Sequence, residues 1–278
     1  MLNKIRTKTL RIINGNQTKS EKLWKSSFYT SEESLGLKED DVFLVSFPRS
    51  GNTWMRNIIA NIQYSKEYIT TLKDLNDLVP DLHKGIPRYN NYSSPRIIKT
   101  HRSYPFRHVR TNKKLYKKII YIVRNPINVT KSLYNYQSQI NPKISLNEVV
   151  TQVITGNNAW GGSWQDHVLS WKAQEDKIDI LFIKYEDLLN NQLHNIQKIA
   201  NFIGYEINSK RAEEIKFNSS KEVMKVMDDK GKLKNNVSNF IFLNKNKQSK
   251  IELTFESELI IKDALAFGMN LFNYDSNI

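Results

Sequence analysis

The chain has 278 residues, 39% of them hydrophobic and 25% charged, a balance that excludes disordered, collagen-like and membrane-embedded classes and suits one large domain around one core. It contains no cysteine, which excludes disulfide scaffolding, thiolate catalysis, thiolate zinc sites and iron-sulfur clusters. Forty-two basic residues against 28 acidic ones give a formal charge of +14, so the surface field attracts anions, whether nucleic acid, anionic lipid or phosphorylated small molecules.

Residues 1–40 are polar and carry Lys4, Arg6, Lys8 and Arg11 among Leu2, Ile5, Leu10, Ile12 and Ile13. They read as a basic arm, with a short amphipathic helix on a membrane surface as the second reading. No apolar stretch and cleavage site of a secretory signal follow. The longest apolar runs fall far short of the roughly 18 to 20 residues of a transmembrane helix. The expectation is a cytoplasmic protein with no transmembrane segment and one α/β domain over residues 41–278.

That domain begins with Val42-Phe43-Leu44-Val45-Ser46-Phe47, an apolar run without alternation. Three more runs share its character: Arg96 to Ile98, Lys118 to Val123 and Asp179 to Ile183. Such runs suit strands covered on both faces, as in a parallel sheet flanked by helices. Trp54, Ile58, Ile59 and Ile62 mark a helix face after the first run. Ser145 and Glu148 have capping-box spacing, which starts a helix through about Ile154. Ser163 precedes a stripe of Trp164, His167, Val168 and Trp171, and the residues from Asn191 to Phe202 form a further helix that Gly204 can end. Asp228 to Lys250, rich in lysine and asparagine, reads as a long basic loop. The fold expected from this alternation has a central, mainly parallel β-sheet flanked by helices.

Chemistry concentrates where the runs end. Ser46 to Trp54 joins a strand to a helix, where free backbone N–H groups and a helix N-terminus can hold an anion and where Gly51 permits close approach. Compared with the triphosphate loop G-x-x-x-x-G-K-[ST], it keeps Gly51 and Thr53 but has Ser46 for the first glycine and Asn52 for the lysine. Its cation is Arg49. Lys99-Thr100-His101 follows the second run, at the carboxyl end where open α/β sheets place ligands. A lysine beside a histidine suits charge stabilisation beside a general base, although a lone histidine is more often structural. Arg124-Asn125-Pro126 follows the third run, with Asn125 as helix cap and Pro126 at the first helical position. Arg124 and Ser132 can converge on a phosphate, or Arg124 can simply be exposed beside a capped helix. His167 shares its face with two tryptophans and reads as core. Tyr134 and Tyr136 either line a pocket or pack. No metal-ligand cluster stands out in the sequence.

In order and spacing, these pieces resemble the sulfotransferase family that uses 3′-phosphoadenosine 5′-phosphosulfate, particularly its cytosolic branch. Phe47 to Trp54 is similar to the 5′-phosphosulfate loop, Lys99-Thr100-His101 to the catalytic strand end, and Arg124 to Ser132 to the 3′-phosphate motif. Gly162 to Trp171 and Tyr185-Glu186-Asp187-Leu188 are further matches. The resemblance implies a phosphate-loop-like α/β fold in which Arg49, Ser50, Gly51, Asn52 and Thr53 bind the 5′-phosphosulfate and Trp54 stacks on adenine. It implies that Arg124 and Ser132 hold the 3′-phosphate, and that Tyr185 lines the adenine pocket with Ser219 and Ser220 nearby. It also implies His101 as general base, with Arg49 and Lys99 stabilising charge on the sulfuryl group and bridging oxygen. No metal is implied.

The chain departs from that pattern in three places. Arg49 stands where many relatives have lysine, and a guanidinium stabilises charge but does not donate a proton at neutral pH. Ser220 stands where an aromatic residue is frequent. The C-terminal Arg-Lys-Gly loop has only Lys245 and Lys247 as approximate counterparts. The expected acceptor is a small molecule, lipid or carbohydrate carrying a hydroxyl or amine, bound between residues 66–95 and the basic loop, with Tyr89 and Tyr92 among the residues there. Specific nucleic-acid binding is not expected. An ATP-dependent phosphotransferase and a basic nucleic-acid-binding protein are the competing readings.

Overall fold

The computed structural model describes residues 37–64, 68–82, 92–104, 116–157, 162–235 and 251–274. Within them, strands β1 (Val42–Ser46), β2 (Ile97–Thr100), β3 (Lys118–Val123) and β4 (Asp179–Lys184) form one sheet in the order β2-β1-β3-β4. Every pairing is parallel. β1, β2 and nearly all of β3 are buried, as their unalternated apolar runs require, whereas β4 alternates between buried and more open positions. At the opening of the sheet, Arg96 grips Asp41 through a two-pronged ion pair of 2.7 and 2.6 Å, joining the starts of β1 and β2.

Two helical layers cover the sheet. Val42, Leu44, Ile120 and Ile122 belong to a core with residues of α1 (Asn52–Gln63), α2 (Leu72–Leu78), α7 (Gln192–Phe202) and α8 (Ser209–Asn218). Phe43, Val45, Tyr121 and Val123 face the other way, toward α3 (Pro126–Ile140), α4 (Leu146–Thr155), α5 (Trp164–Lys172) and α10 (Phe255–Leu271). This two-faced burial is the period-2 consequence of a covered strand.

The expected helix signals act as proposed. Ser145 and Glu148 form a reciprocal capping box at α4, and Gly156 ends that helix in the left-handed region. Ser163 and Asp166 do the same at the start of α5. Asn125 caps α3 with Pro126 in its first turn. Gly204, at φ 84°, follows α7.

α2, opened by a Thr71–Asp74 capping box, lies in a segment expected only as pocket wall. The stretch from Asp228 to Lys250 is not loop throughout. The helix α9 (Lys221–Asn235) carries through the first part of that segment, anchored by buried Met224 and Met227, while α6 (Tyr185–Asn190) follows β4 directly. The rest of the loop with Lys245 and Lys247, the arm over 1–36, His83, His108 and Tyr89 lie outside the described residues.

Candidate active site

Strand order alone gives the site its position. β1 pairs with β2 on one side and β3 on the other, so the connections leaving β1 and β3 diverge and a crevice opens beyond their carboxyl ends. That divergence is the topological switch point at which open parallel sheets bind ligands. The Phe47 to Gly51 loop leaves β1 there, Arg124 leaves β3 beside it, and His101 leaves β2 on the opposite flank.

The loop joining β1 to α1 is a tight turn with left-handed residues. Gly51 has φ 101°, and a β-carbon there would stand 2.5 Å from the Tyr185 ring, so both the turn and the packing demand glycine. Arg49 is also left-handed, at φ 68°. The first helical bond of α1 runs from Met55 N–H to the Gly51 carbonyl at 3.1 Å, and no acidic residue occupies its first turn. The preceding N–H groups therefore have no acceptor within the helix, and its positive end is left for a ligand. The buried Ser50 hydroxyl and Arg124 Nε have no hydrogen-bond partner among the described residues. Two unsatisfied buried donors beside a helix N-terminus fit a phosphate-bearing ligand.

Arg49, Arg124 and Ser132 come together. Arg49 Nε donates to Ser132 Oγ at 3.2 Å, and an Arg124 guanidinium N–H donates to the Arg49 carbonyl at 2.9 Å. Tyr136 lies under the Arg49 guanidinium, 4.7 Å from carbon to ring centre. Burial lowers the Arg49 pKa below its ordinary value; Tyr136 opposes this and Arg124 adds to it. Two like charges at one crevice raise the local affinity for anions.

Trp54, Tyr185 and Ser219 also meet, at the opposite end of the loop. Trp54 Nε1 donates to the Ser219 carbonyl at 2.9 Å, and its ring stands edge-on to Tyr185 at 5.6 Å. Tyr185 in turn lies 4.3 Å from the Arg124 guanidinium. Ser220 is placed differently: its carbonyl and hydroxyl accept from Met224 and Val223 at the start of α9. Asn52 donates to the Ser46 hydroxyl at 3.0 Å, bracing the loop, and Thr53 is the second residue of α1.

His101 is oriented by β1. Its Nδ1 lies 2.8 Å from the Ser46 carbonyl, an acceptor only, so Nδ1 carries the proton and donates. In this neutral tautomer the basic lone pair is on Nε2. Behind it, His167 is fully buried, as its apolar stripe implied, yet it is more than packing: its Nε2 contacts the His101 carbonyl at 3.1 Å and its Nδ1 the Tyr121 hydroxyl at 2.7 Å. Burial pushes the His167 pKa down to about 4, partly offset by the His101 carbonyl, so the ring is neutral at pH 7.

Lys99 has a partner that sequence reasoning did not find. Its ammonium meets the Asp81 carboxylate at 2.8 Å, with side chains only 9% and 11% exposed. The Lys99 N–H also donates to the Pro80 carbonyl at 2.8 Å. Asp81 faces a second cation, Arg56, which donates to the Leu75 and Val79 carbonyls. Burial pushes the Arg56 pKa down to about 10, with Asp81 opposing the shift. No motif surrounds Asp81, so only the end of α2 against β2 reveals it. Asp81→Asn removes the carboxylate that offsets both Lys99 and Arg56 in a largely desolvated place, and we expect it to destabilise the fold by about 3 kcal/mol. A urea unfolding midpoint equal to that of the parent protein would contradict this.

Among the described residues, no group of three or more histidine or acidic side chains could hold a metal ion, and no helix is long and apolar enough to cross a membrane. A family model described as a sulfotransferase domain matches residues 39–264. Sulfotransferase 1 family member D1 of Mus musculus is 30% identical over 216 residues, covering 73% of this chain and 72% of the relative. Sulfotransferase 1B1 of Canis lupus familiaris is 30% identical over 208 residues, 69% of each chain. Mouse sulfotransferase SULT7A1, solved in complex with PAP, superposes with a TM-score of 0.62 at 25% identity, covering 86% of this chain and 89% of that one.

Proposed function

We propose, from the premise that this chain belongs to the sulfotransferase family, that its paired arginines hold the two phosphate ends of 3′-phosphoadenosine 5′-phosphosulfate and that His101 deprotonates a small-molecule acceptor. The chain is a sulfotransferase enzyme. The observation that carries the donor assignment is the convergence of Arg49, Arg124 and Ser132 beside an acid-free helix N-terminus, with Ser50 and Arg124 donors unsatisfied. The PAP complex of the mouse neighbour supports the same donor. A cytoplasmic location, a 1–40 arm and a single domain over 41–278 belong to the same reading.

The donor supplies the sulfuryl group and departs as adenosine 3′,5′-bisphosphate. His101 Nε2 takes the proton from the acceptor hydroxyl or amine as that atom bonds to sulfur and the sulfur bond to the 5′-phosphate oxygen breaks. Arg49 and Lys99 stabilise the negative charge gathering on the sulfuryl oxygens and the departing bridge, Arg49 as a fixed guanidinium that keeps its proton. Ser50, Gly51, Asn52 and Thr53 supply the loop and helix N-terminus for the 5′ end, and Arg124 with Ser132 the 3′ end. Trp54, Tyr185 and Ser219 form the adenine wall, with Ser220 at its margin. Protein cations supply charge that a metal ion supplies in many phosphoryl transfers. Holding reactants in line accounts for much of the remaining rate.

Metal-free calorimetric titration with adenosine 3′,5′-bisphosphate and with ATP tests this reading. The bisphosphate should bind at least about 100-fold more tightly, because its 3′-phosphate, which ATP lacks, gains charge-assisted bonds at Arg124. A preference for ATP that emerges with Mg²⁺ would instead support phosphotransfer.

A further inference from the structure

The stripe along α5 that reads as core in the sequence carries three N–H donors, and each ends on a backbone carbonyl next to the active-site crevice. Trp164 Nε1 donates to the Arg124 carbonyl at 3.1 Å. His167 Nε2 donates to the His101 carbonyl at 3.1 Å, and Trp171 Nε1 to the Arg102 carbonyl at 3.0 Å. A fourth contact runs the other way, from Tyr104 N–H to Ser170 Oγ at 3.0 Å. The segment after β2 and the residue after β3 are thus held by one rigid helix. β1 lies between those two strands, so neither strand pairing fixes their separation directly.

Each donor is over-determined. Trp164, His167 and Trp171 are fully buried, and the Ser163–Asp166 capping box fixes where the helix begins. The Tyr121 hydroxyl donates to His167 Nδ1, leaving Nε2–H as the group aimed at the carbonyl. Phe47 stands edge-on to the same imidazole at 5.8 Å, tying the first residue of the loop to this ring as well. With its donor side chains fully buried a satisfied chain of this kind is rigid, and losing one member leaves a partly buried carbonyl without its donor.

We propose that Trp164 and His167 are positioning residues, three apart on α5, that set the spacing between the arginine holding the 3′-phosphate and the histidine accepting the acceptor's proton. The pair acts through backbone carbonyls and touches neither substrate. Its two ends are separable: Trp164 governs the donor side and His167 the base side. This proposal rests on the donor and base assignments above, and displacements of about 1 Å at such groups cost on the order of 100-fold in rate.

The test uses the full chain with ¹⁵N-labelled histidine, read by NMR at pH 8 with saturating adenosine 3′,5′-bisphosphate, beside calorimetry with the bisphosphate and with adenosine 5′-phosphate. His101→Gln identifies the His101 signals among those of the five histidines. In the parent protein His101 should carry its proton on Nδ1 alone. Trp164→Phe should cut the preference for the bisphosphate about tenfold, the equivalent of one lost positioning bond, with the His101 tautomer unchanged. His167→Phe should give His101 a mixture of tautomers while the ligand preference stays as in the parent. Tyr121→Phe, which removes a single hydroxyl, should reproduce part of that mixture and serves if His167→Phe does not fold.

Variants that melt earlier yet keep both the parent tautomer and the parent preference would reduce the stripe to packing and overturn the proposal. So would variants that disturb both readouts equally. A parent protein that ignores the 3′-phosphate, or whose His101 is protonated on Nε2, would overturn the donor or base assignment itself.

Discussion

His101→Ala reduces sulfuryl transfer by about 10³-fold while adenosine 3′,5′-bisphosphate binds within about twofold of the parent, the expected split for a general base that acts only on the acceptor. The tautomer forced by the Ser46 carbonyl presents Nε2 as base, and alanine removes that nitrogen without touching Arg49, Arg124 or Ser132. The measurement is bisphosphate release from the sulfate donor with an acceptor found by screening, alongside calorimetry of the same variant. Full turnover by a folded His101→Ala protein would take His101 out of the mechanism. Weakened bisphosphate binding of similar size would instead mean that His101 shapes the donor site.

Arg124→Ala weakens the bisphosphate about 100-fold and adenosine 5′-phosphate only severalfold, since one charge-assisted pair to a buried phosphate contributes about 1.5–3 kcal/mol. The smaller loss with the monophosphate reflects the Arg124 bond to the Arg49 carbonyl, which steadies the loop. The loop keeps other braces, from Ser50 N–H to the Phe47 carbonyl and from Asn52 to Ser46. Equal losses for both ligands would move the 3′-phosphate away from Arg124. Arg124→Lys should recover little of the selectivity, because an ammonium lacks the planar fork that reaches both the Arg49 carbonyl and a phosphate.

Local signals were legible where they depended on neighbours in sequence. The capping box at Ser145 and the Asn125-Pro126 start of α3 each satisfy backbone groups within a few residues, so their patterns are readable in the sequence, whereas the Ser163–Asp166 box and the left-handed φ of Gly51 come from the structure. The family matched by the chain was visible in the same stretches. The exception among local signals is the Thr71–Asp74 capping box of α2, and the remaining differences fall where distant packing decides. α2 has a short apolar pattern and holds through burial of Leu75 and Val79, and α9 continues past Asp228 from its buried Met224 and Met227 anchors. Periodicity without such contacts looked like loop.

The chemistry-bearing residue types, their order and the strand ends that carry them follow from the sequence alone, because apolar runs, caps and glycine turns are local solutions to backbone hydrogen bonding and burial. Which of these ends lie side by side follows only from the strand order β2-β1-β3-β4, which sets His101 and Arg124 on opposite flanks of the Arg49 loop. The tertiary structure alone likewise pairs Lys99 with Asp81 and turns the Trp164 and His167 stripe into donors for the backbone of the site. A hydrogen bond or ion pair between residues far apart in the chain leaves no periodic trace in sequence; it exists only once the sheet and its helices have packed.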